Sequence, residues 1–304
     1  MATEFTLRQA RYLVAAVETG SMAEAGRRLH VSASAVSQAV TALEEVTGAP
    51  LLLRVPHRPL TLTPAGSAIV GDLRRLIHTA DDVVANARTV AEQTAGRLRI
   101  GCFRTFAPTY VPPLVAAVAD AYPAIELEIE ELSLVDLQEA LLDGRLELGL
   151  LYDLDIRPDI EISSLAPTRP HILLPGEHRF ARRRSLPLAA LADEPYIMLD
   201  VPPSRHYFGS LLAEAGIDPP IAHTTGSLET LRSLVARGQG WSMLIQRPAI
   251  TVSYEGLPLQ IVAIADRLDP MPVVAAWPAG ARLTRRARAV LELCRHLLGD
   301  EAHS

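Results

Sequence analysis

The sequence predicts an α/β protein that opens with a winged helix-turn-helix, continues into a long linker helix and ends in a larger domain of alternating strands and helices. Three observations carry that prediction. Two capped apolar helices lead into a third whose outer face holds only small or polar side chains. From Pro64 to about Ala95 a heptad pattern runs without a further proline. Beyond Gly96, period-two apolar runs alternate with helical ones to the end of the chain.

Composition bounds the answer. At 304 residues the chain fits two or three domains, and 49% hydrophobic with 21% charged residues is a soluble globular balance. No apolar run reaches the ~18–20 residues of a membrane span, and the N-terminus lacks a basic region followed by an apolar one, so the expected place is the cytoplasm. All 29 basic residues are arginine, which excludes lysine Schiff bases, a phosphate-loop lysine and lysine general bases. The net charge is −6, yet residues 1–62 hold six arginines against five acids while the remainder is acidic. Cys102 and Cys294 read as inert buried thiols, not a redox pair. The nine histidines show no metal-ligand spacing, and no nucleophile elbow is present. Catalytic residues, metal and cofactor are therefore all expected to be absent.

In chain order, Thr6 and Gln9 form a capping box for a first helix with a Leu7, Ala10, Val14, Val17 stripe. Ser21 and Glu24 repeat that signature for a second helix ending near Leu29. After the turn "HVS", Ser32 caps a third helix that stops at Gly48. Val36, Val40 and Leu43 make its buried stripe, so Ala33, Ser34, Ser37, Gln38 and Thr41 face outward. "LLLRVPHRPLTLTPAG" alternates around two prolines as a two-stranded wing ending at Thr63. Thr63-Pro64 then starts the long helix. Its seam is Ile69, Leu73, Leu76, Ala80, Val83, Ala87, Val90 and Thr94, spaced for pairing with a second copy. In the rest, "RLRIGC", "AIELEIEEL", "HILLP" and "PYIML" are strands and "TRRARAVLELCRHLL" a closing helix, giving mostly parallel sheets.

A solvated surface helix can also be rich in alanine and serine. Here the small face has a purpose, because a major groove ~12 Å wide barely admits a helix ~10–12 Å across. Gln38 is long enough to reach a base edge, and Ser34, Ser37 and Thr41 suit base or phosphate contacts. Arg54, His57 and Arg58 follow in the wing, where phosphates would lie.

The stretch "YLVAAVETGSMAEAGRRLHVSASAVSQAVTALEEVTGAPLL", with "LTPAG", "PGEHRFARRRSLPLAALADEPYI" and "LVARGQG", resembles the LysR-type transcriptional regulators over nearly the whole chain. That resemblance implies a DNA-binding domain at 1–62, a dimerising linker helix at 63–95 and an effector-binding domain at 96–304. The last would have a two-subdomain, periplasmic-binding-protein-like fold, with subdomain I at about 97–167 and 268–304 and subdomain II at about 168–267. The implied partners are promoter double-stranded DNA, a small-molecule effector, further copies of the chain as a dimer or tetramer, and RNA polymerase. Where many members carry Gln and Pro, this chain has Ala33 and Ser34, so an operator sequence does not transfer from relatives.

The family's effector contacts fall at Arg104, Thr105, Ser133, Leu134, Ser204, Arg205 and Ser227. Helix N-termini and two arginines favour an anion such as a carboxylate. Each arginine alone reads equally well as a surface ion pair, and Leu134 stands where relatives often carry a hydroxyl. Two rival functions are a soluble small-molecule binding protein without a DNA role and an enzyme on an α/β scaffold. The helix-turn-helix counts against the first and the lack of a catalytic motif against the second. Deleting residues 1–62 separates regulation from both, since only a regulator would lose promoter binding while keeping its ligand.

Overall fold

Local capping rules decide where the first helices begin and end. The computed structural model describes residues 5–55, 58–88, 94–248 and 250–301. Helix α1 (Leu7–Thr19) opens on the expected capping box: Gln9 N–H donates to Thr6 Oγ1 at 3.3 Å, and Thr6 N–H to Gln9 Oε1 at 2.6 Å. The second box forms by half. Ser21 accepts from Glu24 N–H to start α2 (Met22–Arg28), but the Glu24 carboxylate pairs with Arg27. Ser32 accepts from Ala35 N–H at 3.1 Å to start α3 (Ala33–Thr47), and Gly48, at φ +70°, ends it.

The turn between α2 and α3 depends on Gly26, whose carbonyl accepts from Val31 N–H at 2.9 Å. A Cβ on Gly26 would lie 2.7 Å from the Val31 carbonyl oxygen, so the turn closes only around glycine. Gly26→Ala is expected to destabilise the domain by about 2 kcal/mol through overpacking. Thermal unfolding followed by circular dichroism checks this; an unshifted first transition would mean that the turn has room to spare.

Strands β1 (Leu52–Leu53) and β2 (Thr61–Leu62) pair antiparallel as the wing. Helix α4 (Pro64–Arg88) follows, with Thr63 Oγ1 accepting from Gly66 N–H at 3.0 Å. The expected seam needs correcting at both ends. Leu73 is buried in the winged domain's own core together with Val70, and Ile69 packs beside them. Leu76 and Val83, by contrast, are exposed. Thr94 lies outside helix, in the approach to the next strand. Val90 and the Ala87 side chain fall outside the described residues. Heptad spacing marks an apolar face without saying which neighbour takes it, and the start of this face serves the helix-turn-helix. In the same stretch, between Val70 and Leu73, α4 also meets the C-terminal domain backbone to backbone, since a Cβ on Gly71 would stand 2.7 Å from the Leu142 carbonyl oxygen.

The first lobe of the C-terminal domain contains β3 (Gly96–Phe103), α5 (Ala107–Ala121), β4 (Ile125–Leu132), α6 (Leu134–Leu142), β5 (Leu148–Tyr152) and β6 (Ile160–Thr168). The second contains β7 (His171–Pro175), β8 (Ser185–Leu186), β9 (Tyr196–Leu199), α7 (Ser204–Glu214), β10 (Ile221–Thr225), α8 (Leu228–Ala236), β11 (Ser242–Leu244) and β12 (Leu259–Ile264). The chain then returns to the first lobe as β13 (Met271–Pro278) and α9 (Arg285–Glu301). Each lobe has its own apolar core.

The expectation of mostly parallel sheets is corrected to mixed ones. In the order β4-β3-β5-β13-β6, the β3 pairings are parallel, but β13 runs antiparallel to both β5 and β6. The sheet β11-β7-β12-β8 is likewise mixed. The reason is the crossover: β6 leaves the first lobe and β13 returns to it alongside, with Met271 opposite Thr168. Cys102 and Cys294 share the first core; burial pushes the Cys102 thiol far up and Cys294 to about 12, so both stay protonated and unreactive.

Candidate functional site

Helix α3 turns Val36, Val40 and Leu43 inward and leaves Ala33, Ser34, Gln38 and Thr41 exposed, with Ser37 half-buried. Ser34 Oγ lies 2.9 Å from the capping Ser32 Oγ. The Glu44 carboxylate at the rear of α3 organises the wing. Its Oε1 accepts from Leu51 and Leu52 N–H at 2.8 and 3.2 Å, and its Oε2 accepts from Arg54 at 2.8 Å. Arg54 also approaches Thr41 Oγ1 at 3.5 Å, so it lies back along the helix and a phosphate would compete with Glu44 for it. Arg58 is exposed, and its N–H donates to the Val55 carbonyl at 3.2 Å. His57 lies outside the described residues.

The residues expected around a ligand cleft are distributed at strand-to-helix turns of both lobes. Arg104 is exposed after β3, while Thr105 is buried and its Oγ1 accepts from Gln246 Nε2 of the second lobe at 2.9 Å. Ser133 and Ser227 spend their oxygens on their own helices, accepting from Asp136 and Thr230 N–H. Leu134 departs from expectation. Its side chain is buried in the first core, where an apolar residue one step into a helix belongs. Helices α5 and α7 start without a side-chain cap, whereas α6 and α8 are capped by these serines. The first residues of α7 are Ser204 and Arg205, and the Arg205 guanidinium is exposed and reaches Asp200 at 3.3 Å.

Sequence reasoning missed Gln246, which spans the lobes 141 residues from its partner. Its one signal was position: like Thr105, it follows a buried strand, "SMLI". Tyr152 belongs to an aromatic core cluster with Phe103 and Phe106. Tyr207 packs against both cores, and burial pushes its hydroxyl up to about 12. That hydroxyl is buried with no hydrogen-bond partner among the described residues. The lobes are thus joined by a polar contact, and Tyr207, packed against both cores, carries an unused donor. No group of three or more His, Cys, Asp or Glu side chains poised for a metal occurs among the described residues. No described helix is long and apolar enough to cross a membrane.

Two family models match the chain. The LysR substrate binding domain matches residues 91–299, and the bacterial regulatory helix-turn-helix protein, lysR family, matches 7–67. HinK, a LysR family transcriptional regulator from Pseudomonas aeruginosa, is 39% identical over 98% of this chain and 100% of its own, with a TM-score of 0.68. The HTH-type transcriptional regulator TdfR of Cupriavidus pinatubonensis is 29% identical, covering 97% of this chain and 99% of its own. CbnR, in complex with its target DNA, shares the fold at 24% identity and a TM-score of 0.56, over 96% of this chain and 99% of its own.

Proposed function

Because the chain belongs to the LysR family of transcriptional regulators, and so is a DNA-binding regulator with an effector-binding domain, we propose that it reads promoter DNA with α3 and the wing, pairs through α4, and responds to a small anion held between the two lobes. One observation carries the DNA reading: the exposed face of α3 bears no side chain larger than Gln38, beside a wing that exposes Arg58. Such a face lets a helix enter the major groove, with Gln38 paired to an adenine. CbnR, bound to its target DNA, supports this reading by its fold.

Gln38→Ala should weaken operator binding by about 1–3 kcal/mol and relax selectivity at one base pair. Arg58→Ala should weaken every duplex and flatten the salt dependence. Fluorescence anisotropy against operator and scrambled DNA distinguishes the two. Undiminished selectivity in the glutamine variant would rule out α3 as the reading helix.

For the effector, the uncapped start of α7 and the Arg104 and Arg205 side chains support a carboxylate, with Thr105, Gln246 and Tyr207 as polar partners between the lobes. Arg205→Ala should reduce effector affinity by the ~1.5–3 kcal/mol of a charge-assisted hydrogen bond, with operator binding in the ligand-free state retained. Calorimetric titration with acids selected by thermal shift measures it, and a neutral effector bound equally well by the variant would overturn the anion reading. Binding shifts the regulator by the ligand's differential affinity for one arrangement of the lobes.

A further inference from the structure

An arginine-lined cavity of about 410 Å³ lies between the winged domain, the linker helix and the first lobe, away from the Thr105–Gln246 contact that joins the two lobes. Six arginines line it: Arg11 and Arg28 from α1 and α2, Arg74 from α4, Arg97 and Arg99 from β3, and Arg286 from α9. Four carboxylates answer them. Glu18 accepts from Arg28 at 2.8 Å and lies 3.8 Å from Arg99, and Asp81 pairs with Arg11. Glu128 pairs with Arg97 and Arg99, and Glu147 with Arg286 at 2.9 Å. His78, 3.7 Å from Glu147, completes the ionisable wall. Among the described residues the arginines therefore outnumber these carboxylates by two.

Arg74 is the member that the protein itself does not satisfy. It is 6% exposed, and Nη1 donates to the Asp143 carbonyl at 2.8 Å, but Nε has no hydrogen-bond partner among the described residues. No carboxylate forms an ion pair with it there either. A buried guanidinium left like this is costly unless an anion completes it. Burial accordingly lowers its pKa.

We propose that this inter-domain cavity binds a small phosphorylated metabolite whose phosphate pairs with the Arg74 guanidinium at the cavity wall and draws on the neighbouring Arg28 and Arg99. A phosphate monoester carries about −1.5 to −2 at neutral pH, which matches an excess of two cations better than a single carboxylate does. Guanidinium forks suit its oxygens. The volume falls within the roughly 300–1,000 Å³ of small-molecule pockets, so room remains for the organic part. Arg28 belongs to the winged domain and Arg99 to the first lobe, so a bound phosphate would fasten one to the other. Regulation by this ligand would be independent of what occupies the cleft between the lobes, and the proposal stands whether or not that cleft takes an anion.

The test is calorimetric titration of the full chain at low ionic strength with pyrophosphate as the probe and inorganic phosphate beside it. One saturable site per chain is expected. Arg74→Met should weaken pyrophosphate at least tenfold, and Arg28→Gln several-fold, while Arg205→Ala and Arg58→Ala bind as the parent does. Because the Arg28 side chain is 44% exposed, its variant decides the matter should Arg74→Met fail to fold. The proposal is overturned by absence of saturable binding, by parental affinity in both cavity variants, or by loss of binding in Arg58→Ala or Arg205→Ala, which would put the phosphate on the DNA face or in the cleft.

Discussion

Replacing Leu76 and Val83 together with glutamate is expected to turn the proposed α4-paired dimer into folded monomers that no longer bind a two-half-site operator. The two residues are one heptad apart on α4 and are 42% and 63% exposed in the single chain. The helix buries Val70 and Leu73 in its own domain, which leaves this later stretch for another copy. Two glutamates per chain would have to be desolvated against their counterparts, at a cost of several kcal/mol. Neither side chain holds the monomer together, so its circular dichroism should be unchanged. Leu73→Glu would behave differently, because it puts a charge into the winged domain's core. Light scattering reads the mass directly, and a double variant that still scatters as a dimer removes α4 from the interface. Half-sites about one helical turn apart need both reading heads on one particle, so operator affinity should collapse with the dimer.

The second large effect is expected at Arg286. Its guanidinium and the Glu147 carboxylate are both almost fully buried, 2.9 Å apart, and Thr284 Oγ1 also donates to Glu147 at 2.9 Å. Among the described residues, Arg286→Met leaves that carboxylate buried with the threonine close and His78 at 3.7 Å. The expected loss is about 3–5 kcal/mol, the range for breaking a buried pair on one side. Adding Glu147→Leu should recover most of it, since removing both charges also removes the desolvation cost. Urea unfolding of the parent, single and double variants gives the three midpoints. A single variant as stable as the parent, or a double variant worse than the single, would contradict a charge-pair origin.

Those two cases show what the sequence reveals and what it hides. Thr6 with Gln9, Ser32, Gly48 and Thr63 were legible because a cap is a contact between residues three or four apart. The outward face of α3 was legible because its inner stripe obeys the same short period. Leu73 was misassigned because a heptad spacing describes one helix and is silent about what covers it. Sheet direction was lost because the strand that makes the first sheet mixed, β13, arrives after an entire second lobe. Arg54 is legible as a wing residue for phosphates, but its pairing with Glu44 needs the wing folded back on α3. Gln246 and Thr105 illustrate the same limit in the cleft: each looks like an ordinary polar residue after a strand until the lobes meet.

The contact at Gly71 has a mechanical consequence. Glycine there lets α4 rest on the Leu142 carbonyl, and the Gly71 carbonyl in turn faces Gly144, where a Cβ would stand 3.0 Å away. Side chains can slide past one another, but two backbones pressed together form a fulcrum. From Gly71 to Arg88 the helix projects roughly 25 Å, so a tilt of about 5° at the fulcrum swings its far end by about 2 Å. Any shift of the α6–β5 corner is thereby magnified along the lever. A methyl group at either glycine would reset the resting angle of the arm without touching the DNA face or the cleft.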